Sequence, residues 1–265
     1  MRDANRSPRE VAVVIPVHDE ECLLERCLRS VRTAADRLMD RLGTAARIVV
    51  VLDACSDRSE EIATAQQVET VRIARRCVGA ARAEGVDHVI RTAATTRLWI
   101  ACTDADSRVP ADWLITHCRQ ATAGADLVLG RARLDPVDVS IPVYRRWAQH
   151  YGGGSATRHI HGANLGVSLE AYRQVGGFAD LKEHEDVDLV SRLRQAGARV
   201  ASAPDVLTSG RLYGRTPGGF AGYLRRLGAG SEGCGVDTSD GPGTEAVVDA
   251  PERRLRSSGH PDTRV

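Results

Sequence analysis

The sequence predicts an α/β protein with a mostly parallel central sheet and helices on both faces. Three observations lead there. Short apolar runs alternate with segments of helical periodicity through the N-terminal two-thirds of the 265 residues. The runs end in polar and acidic residues, the pattern of parallel strands whose carboxyl ends line a ligand cleft. The longest apolar runs, such as Val11–Val17 and Ile48–Leu52, fall far short of the roughly 18–20 residues that a bilayer span needs.

Val11–Val17 reads as a buried strand. Glu20–Leu42 follows as a helix, with apolar residues at 23, 24, 28, 31, 38 and 42. Arg47–Leu52 is a second strand and Ser56–Gln67 a second helix. Val71–Ala74 is a short third strand before a helix over Val78–Ala94. Leu98–Cys102 is a fourth strand, and Pro110 can start the helix Pro110–Thr122 at its first position. Asp126–Gly130 is a fifth strand, and a short strand is expected around His159 and His161. Strands and helices in this alternation build a parallel sheet covered on both faces.

Composition narrows the function. Lys and Arg number 36 against 35 Asp and Glu, for a net charge of +1, which argues against a nucleic-acid binder working through bulk charge. Lys182 is the only lysine, so Schiff-base chemistry and a lysine-bearing phosphate loop are disfavoured. Seven cysteines, without a Cys-x-x-Cys pair, read as buried free thiols in a reducing compartment. The polar stretch Met1 to Glu10 carries no secretory apolar core. A soluble cytoplasmic protein is expected, with a peripheral membrane contact left open. The arginine-rich, lysine-poor composition suggests a high-GC bacterial source.

The strand ends carry the chemistry. His18, Asp19 and Glu20 follow the first strand, Asp53 and Asp57 the second, Asp104 and Asp106 the fourth. Three successive acidic strand ends indicate a convergent acidic cleft, although Asp57 also sits where a helix N-cap would. In an extended chain Asp104 and Asp106 would point the same way, and paired carboxylates suit Mg²⁺ or Mn²⁺. A second constellation runs through Gly162-Ala163-Asn164-Leu165-Gly166-Val167 and Gly176-Gly177-Phe178 to Glu183-His184-Glu185-Asp186. Glu185 and Asp186 open a helix with apolar Val187, Leu189, Val190 and Leu193. Acids there either complement the helix dipole or present a general base to the cleft.

At these residues the chain resembles glycosyltransferase family 2. The matching segments are Val14-Ile15-Pro16-Val17-His18-Asp19-Glu20, Val51 to Asp57, Gly79-Ala80-Ala81-Arg82, Asp104-Ala105-Asp106, and Gly176-Gly177-Phe178 with Glu185-Asp186. They occur in family order across about residues 11–205. The resemblance implies the GT-A fold, a nucleotide-sugar donor (a UDP-, GDP- or dTDP-sugar), a hydroxyl acceptor and a divalent metal. It implies that Pro16, His18 and Glu20 line the nucleotide and that Asp53 reads the base. Arg82 lies near the diphosphate, Asp104 and Asp106 hold the metal, and Asn164 joins the substrate contacts. Asp186 is the implied base of an inverting reaction, with Glu185 beside it.

Some positions depart from the family pattern. Leu52-Asp53 replaces the usual acidic pair, Ala54-Cys55 follows, and Ala83 stands where Asn is frequent. No Gln-x-x-Arg-Trp follows Asp186, which disfavours a processive polysaccharide synthase. The resemblance leaves open a retaining transferase, a nucleotidyltransferase, and a non-catalytic sugar-nucleotide binder. The acidic first loop His18-Asp19-Glu20-Glu21 argues against the nucleotidyltransferase, and intact Asp104, Asp106 and Asp186 against the binder.

The catalytic unit is expected to span 1–210. Residues 134–161 concentrate aromatics and Arg145 and Arg146, either an acceptor-facing surface or a helix packed on the sheet. Residues 211–227 carry four arginines and no acid, and read as a lid over the diphosphate, a contact with anionic lipid, or a solvated basic loop. Residues 228–265 are too poor in apolar side chains to bury a core, and disorder is expected there.

Overall fold

A computed structural model of the protein describes residues 7–151 and 160–211. Its centre is a seven-stranded sheet ordered β3-β2-β1-β4-β8-β6-β9. The strands are β1 (Glu10–Val17), β2 (Ala45–Asp53), β3 (Glu69–Ile73), β4 (Leu98–Cys102), β6 (Leu127–Leu129), β8 (Leu165–Ser168) and β9 (Val200–Ser202). β1 pairs in parallel with β2 and β4, and β2 with β3. β8 is antiparallel to both β4 and β6. A second sheet of β5 (Ser107–Arg108), β10 (Val206–Thr208) and β7 (Ala132–Leu134) is ordered β5-β10-β7.

β1 shows why the sheet is covered twice. Val11, Val13, Ile15 and Val17 join one hydrophobic cluster, and Ala12 and Val14 the other, as the two-residue alternation of a strand demands. Helix α1 (Leu24–Leu42), with α4 (Trp113–Thr122), packs on the first face through Leu24, Cys27, Leu28, Val31 and Leu38. These residues recur every three or four positions, one stripe of a helix. α3 (Val78–Thr92), α6 (Leu169–Gln174) and α7 (Glu185–Gln195) cover the second face. At Gly85 of α3 a Cβ would lie 2.5 Å from Val14 Cγ1 and 2.8 Å from Val51 Cγ2, so the helix seats against the sheet only with glycine there.

Several elements begin later than their periodicity predicts, for a local reason. α1 starts at Leu24 rather than Glu20 because the preceding turn closes on itself, with the Leu23 and Leu24 amides both donating to Glu20 O. α2 (Ser59–Ala65) starts after Ser56 because Asp19 Oδ1 accepts the Ser56 and Asp57 amides. α4 starts at Trp113 after a turn in which Trp113 N donates to Pro110 O. His161 is not in a strand; it precedes a 3₁₀ turn over Gly162–Asn164 that leads into β8. His159 lies outside the described residues. The aromatic segment forms α5 (Ile141–Tyr151), in which Trp147 is buried and stacks 5.7 Å from Tyr144.

Among the described residues no helix is long and apolar enough to cross a membrane. The described cysteines are free: Cys27, Cys77, Cys102 and Cys118 are buried, whereas Cys22 is exposed and Cys55 half-buried. The predicted basic segment, apart from Arg211, and the predicted disordered tail lie outside the described residues.

Candidate active site

Parallel pairing of β1, β2 and β4 brings their carboxyl ends to one edge of the sheet. The first two ends are laced together. His18 Nδ1 lies 2.6 Å from Asp53 O. Asp19 and Ala54 both adopt positive φ (52° each), a region that non-glycine residues enter only when their surroundings hold them. Asp19 Oδ1 accepts the Ser56 amide at 2.6 Å, and the Ala54 amide donates to Ile73 O. Pro16 lies half-buried in β1.

Asp53 is only 4% exposed, and its carboxylate is a backbone acceptor. Oδ1 accepts the amides of Arg75 and Arg76 at 2.7 and 2.8 Å, and Oδ2 accepts Cys77 N at 2.8 Å. The side chain expected to read a nucleotide base therefore holds the loop that enters α3. Asp57 behaves similarly: Oδ1 accepts Ser59 N and Oδ2 accepts Glu21 N. Among the described residues, the three potential ligands that come within metal-binding reach of one another are Asp19, Cys55 and Asp57. Their groups are engaged by backbone partners, with Cys55 Sγ donating to Val17 O, so they form a loop staple.

The fourth strand end differs from its predicted geometry. β4 stops at Cys102, and Asp104 and Asp106 lie on a turn closed by Ser107 N donating to Asp104 O at 3.0 Å. The two acids therefore do not sit on an extended chain, and they stay near enough for the Asp104 charge to raise Asp106. Each meets an arginine from elsewhere in the chain. Arg82, only 3% exposed, donates from Nη2 to Asp104 Oδ1 at 2.6 Å, pairs through Nη1 with buried Glu185, and lies 6.0 Å from the Phe178 ring centroid. Arg211 donates to both oxygens of Glu20 at 2.7 Å and pairs with Asp106 Oδ2 at 3.0 Å.

Electrostatics follow from crowding. The Asp104 carboxyl is raised above the ordinary carboxylate value, chiefly by burial; Arg82 opposes this, and Asp186 and Glu20 add to it. Asp106 is raised chiefly by burial, with Arg211 opposing. Each carboxylate already has one arginine beside it. Their donors are all oxygen, and Asp104 keeps 39% of its side chain open. These features fit Mg²⁺ or Mn²⁺, which take oxygen ligands.

Asp186 lies close enough to Asp104 for its charge to raise that carboxyl. Its Oδ2 accepts Gly162 N at 2.6 Å and its Oδ1 accepts Val187 N at 2.8 Å, at the first turn of α7. His184 precedes it in left-handed backbone (φ 64°) and turns the chain into the helix. Gly162 meets both Asp186 and Arg82, and the close approach of Arg82 is what requires a glycine. It supplies the amide for Asp186, and a Cβ there would lie 2.3 Å from Arg82 Nη2. Glu185, expected beside the base, is 3% exposed and serves as the inner partner of Arg82.

Asn164, expected among the substrate contacts, is fully buried with its amide engaged. Oδ1 accepts Trp113 Nε1 at 2.9 Å, and Nδ2 donates to Arg131 O and Pro204 O. It ties α4, the residue before β7 and the segment after β9 together. The sequence pattern alone misses two contributors. Arg211 is legible only as part of a basic run, and Thr208, which donates to Asp106 Oδ1 at 3.3 Å, carries no signal.

The comparisons with known proteins agree with this architecture. No curated protein sequence matches the chain. Among solved structures, a mannosyltransferase from Pyrobaculum calidifontis in complex with GDP-Man and Mn²⁺ aligns at 20% identity and a TM-score of 0.55, over 79% of this chain and 59% of that one. S. aureus TarS 1-349 with UDP-GlcNAc aligns at 13% identity and 0.57, over 78% and 60%. Glucosyl-3-phosphoglycerate synthase from Mycobacterium tuberculosis, with Mn²⁺, UDP and phosphoglyceric acid, aligns at 17% and 0.54, over 83% and 76%. The chain thus spans about three-fifths of the length of the first two. At these identities the likeness establishes the fold, which is GT-A. The family model for glycosyl transferase family 2 matches residues 12–166, more than half of the chain. The laced strand ends, the acidic turn after β4 and the fold all lie within a chain that belongs to glycosyl transferase family 2.

Proposed function

We propose that the protein transfers a sugar from a nucleotide-diphospho-sugar to an acceptor hydroxyl, with inversion at the sugar carbon. The observation that supports this reading is Arg82, buried between Asp104 and Glu185, with Asp186 near enough to raise the Asp104 carboxyl. Solved relatives that hold GDP-Man or UDP-GlcNAc support a nucleotide-sugar donor. The nucleotide lies against Pro16, His18 and the loop that Asp53 holds.

Mg²⁺ or Mn²⁺ on Asp104 and Asp106 would supply positive charge to the departing diphosphate. The chain's own residues do the rest. Arg82, fixed by Glu185, presents a positive face near the diphosphate without rearranging as charge develops. Asp186 takes the acceptor's proton as the new sugar–oxygen bond forms and the bond to the diphosphate breaks. Its two amide donors hold the carboxylate in place.

A thermal-shift panel of UDP-, GDP- and dTDP-sugars with and without Mn²⁺ tests the reading. One nucleotide class should raise the melting temperature more with Mn²⁺ than without it. No shift from any donor would remove the proposal.

A further inference from the structure

Arg211 makes the tightest contacts of the acidic site that the transfer reaction does not use. It follows β10 and places its guanidinium on the Glu20 carboxylate in a two-pronged fork, both contacts 2.7 Å. One of the same nitrogens reaches Asp106 Oδ2 at 3.0 Å. Glu20 and Asp106 are 8% and 14% exposed in their side chains, while Arg211 keeps 31% open. Both acids lie on the strand-end loops, and Arg211 arrives from more than a hundred residues away.

The two arginines of the site are not equivalent. Arg82 is buried, pinned by Glu185 and roofed by Phe178. Arg211 is half open, and only one prong touches an acid of the aspartate pair. Among the described residues, Glu20, Asp104, Asp106, Glu185 and Asp186 gather around Arg82 and Arg211, and Arg26, paired with Asp138, lies within electrostatic reach of Asp106. A cation arriving on Asp106 meets Arg211 already there.

We propose that Arg211 is a resident counter-cation of the acidic site, which gives up Asp106 to an incoming divalent ion while Glu20 retains it. The inference rests on the reading that Asp104 and Asp106 bind the metal. Two acids on one guanidinium make the exchange easy. Releasing Asp106 costs one contact, and the fork on Glu20 keeps Arg211 from being left without a partner in a half-buried place. Arg211 thereby sets the metal affinity of the site, and it keeps the carboxylate cluster from self-repulsion when no metal is bound.

The test is Mn²⁺ binding to the full chain without any sugar donor, read from the electron paramagnetic resonance of the free ion. Arg211→Ala should bind Mn²⁺ roughly tenfold more tightly than the parent, and Arg211→Lys, which cannot make the fork, should fall between them. Adding Asp106→Asn to Arg211→Ala should abolish the gain. A side chain that only held the fold together would not raise affinity when removed. Equal or weaker binding by Arg211→Ala, or a gain that survives Asp106→Asn, overturns the proposal but leaves the transfer reading standing, because Mn²⁺ still binds. Absence of Mn²⁺ binding in every variant overturns it together with the metal part of that reading.

Discussion

The Gly162 backbone amide donates to Asp186 Oδ2 at 2.6 Å, so a residue in the turn before β8 fixes the carboxylate that opens α7. Asp186→Asn preserves the size of the side chain and removes the carboxylate proposed as the base. Turnover should fall about 10²–10⁴-fold. Donor affinity, measured by calorimetry on the same variant, should stay within about twofold, because uniform binding does not depend on the base. Equal losses in both would make Asp186 a donor contact instead.

Arg82 and Glu185 are 3% and 4% exposed in their side chains and form one buried ion pair. Arg82→Ala leaves Glu185 charged and unpaired in the core, which should cost about 3–5 kcal/mol of stability in urea unfolding. Adding Glu185→Leu removes the stranded charge and should recover part of that loss. If the double variant unfolds as easily as the single, the pair is not what holds α3 against α7.

His117 gives the stability a defined acid limit. It is fully buried, it accepts the Trp99 indole N–H at Nδ1, and burial lowers its pKa to about 3. In the unfolded chain a histidine titrates at about 6.5. Between these two values the unfolded chain binds a proton that the folded chain refuses. The contribution of neutral His117 to stability is complete above about pH 6.5 and is lost progressively as the pH falls toward 3. His117→Gln keeps an acceptor for Trp99 and removes the titration. Chemical unfolding at several pH values between about 4 and 7 should show a shallower acid loss for this variant than for the parent.

Asp53→Asn places an NH₂ group where a carboxylate accepts three backbone amides. At least one of the amides of Arg75, Arg76 and Cys77 must lose its acceptor, at about 1–3 kcal/mol. Hydrogen exchange at these amides should quicken, and donor affinity should weaken with it. Weaker donor binding with unchanged exchange would assign Asp53 to direct contact with the nucleotide.

Much of the fold is legible in the residue pattern. β1, β2, β4, α1, α3 and α4 announce themselves by periodicity, because a strand buried on both faces must be apolar throughout and a covering helix must carry an apolar stripe. The acids at the strand ends are equally visible, since parallel strands point them to one edge. The short strands β5, β7, β9 and β10 leave no comparable mark, because two or three residues hold too little pattern to distinguish them from loop.

Which acids face the cleft is decided in three dimensions. Sequence presents Asp53, Glu185 and Asn164 with the same standing as Asp104 and Asp186. Folding gives Asp53 to three amides, Glu185 to Arg82 and Asn164 to Trp113 and two carbonyls, and leaves Asp104 partly open beside Arg82. The pairing of Arg211 with Glu20 spans 191 positions and depends on β10 lying beside β5. Local pattern records what each residue prefers to be near. Only the closed fold settles which buried polar group meets which partner, because each must find one in the space that the packed core leaves.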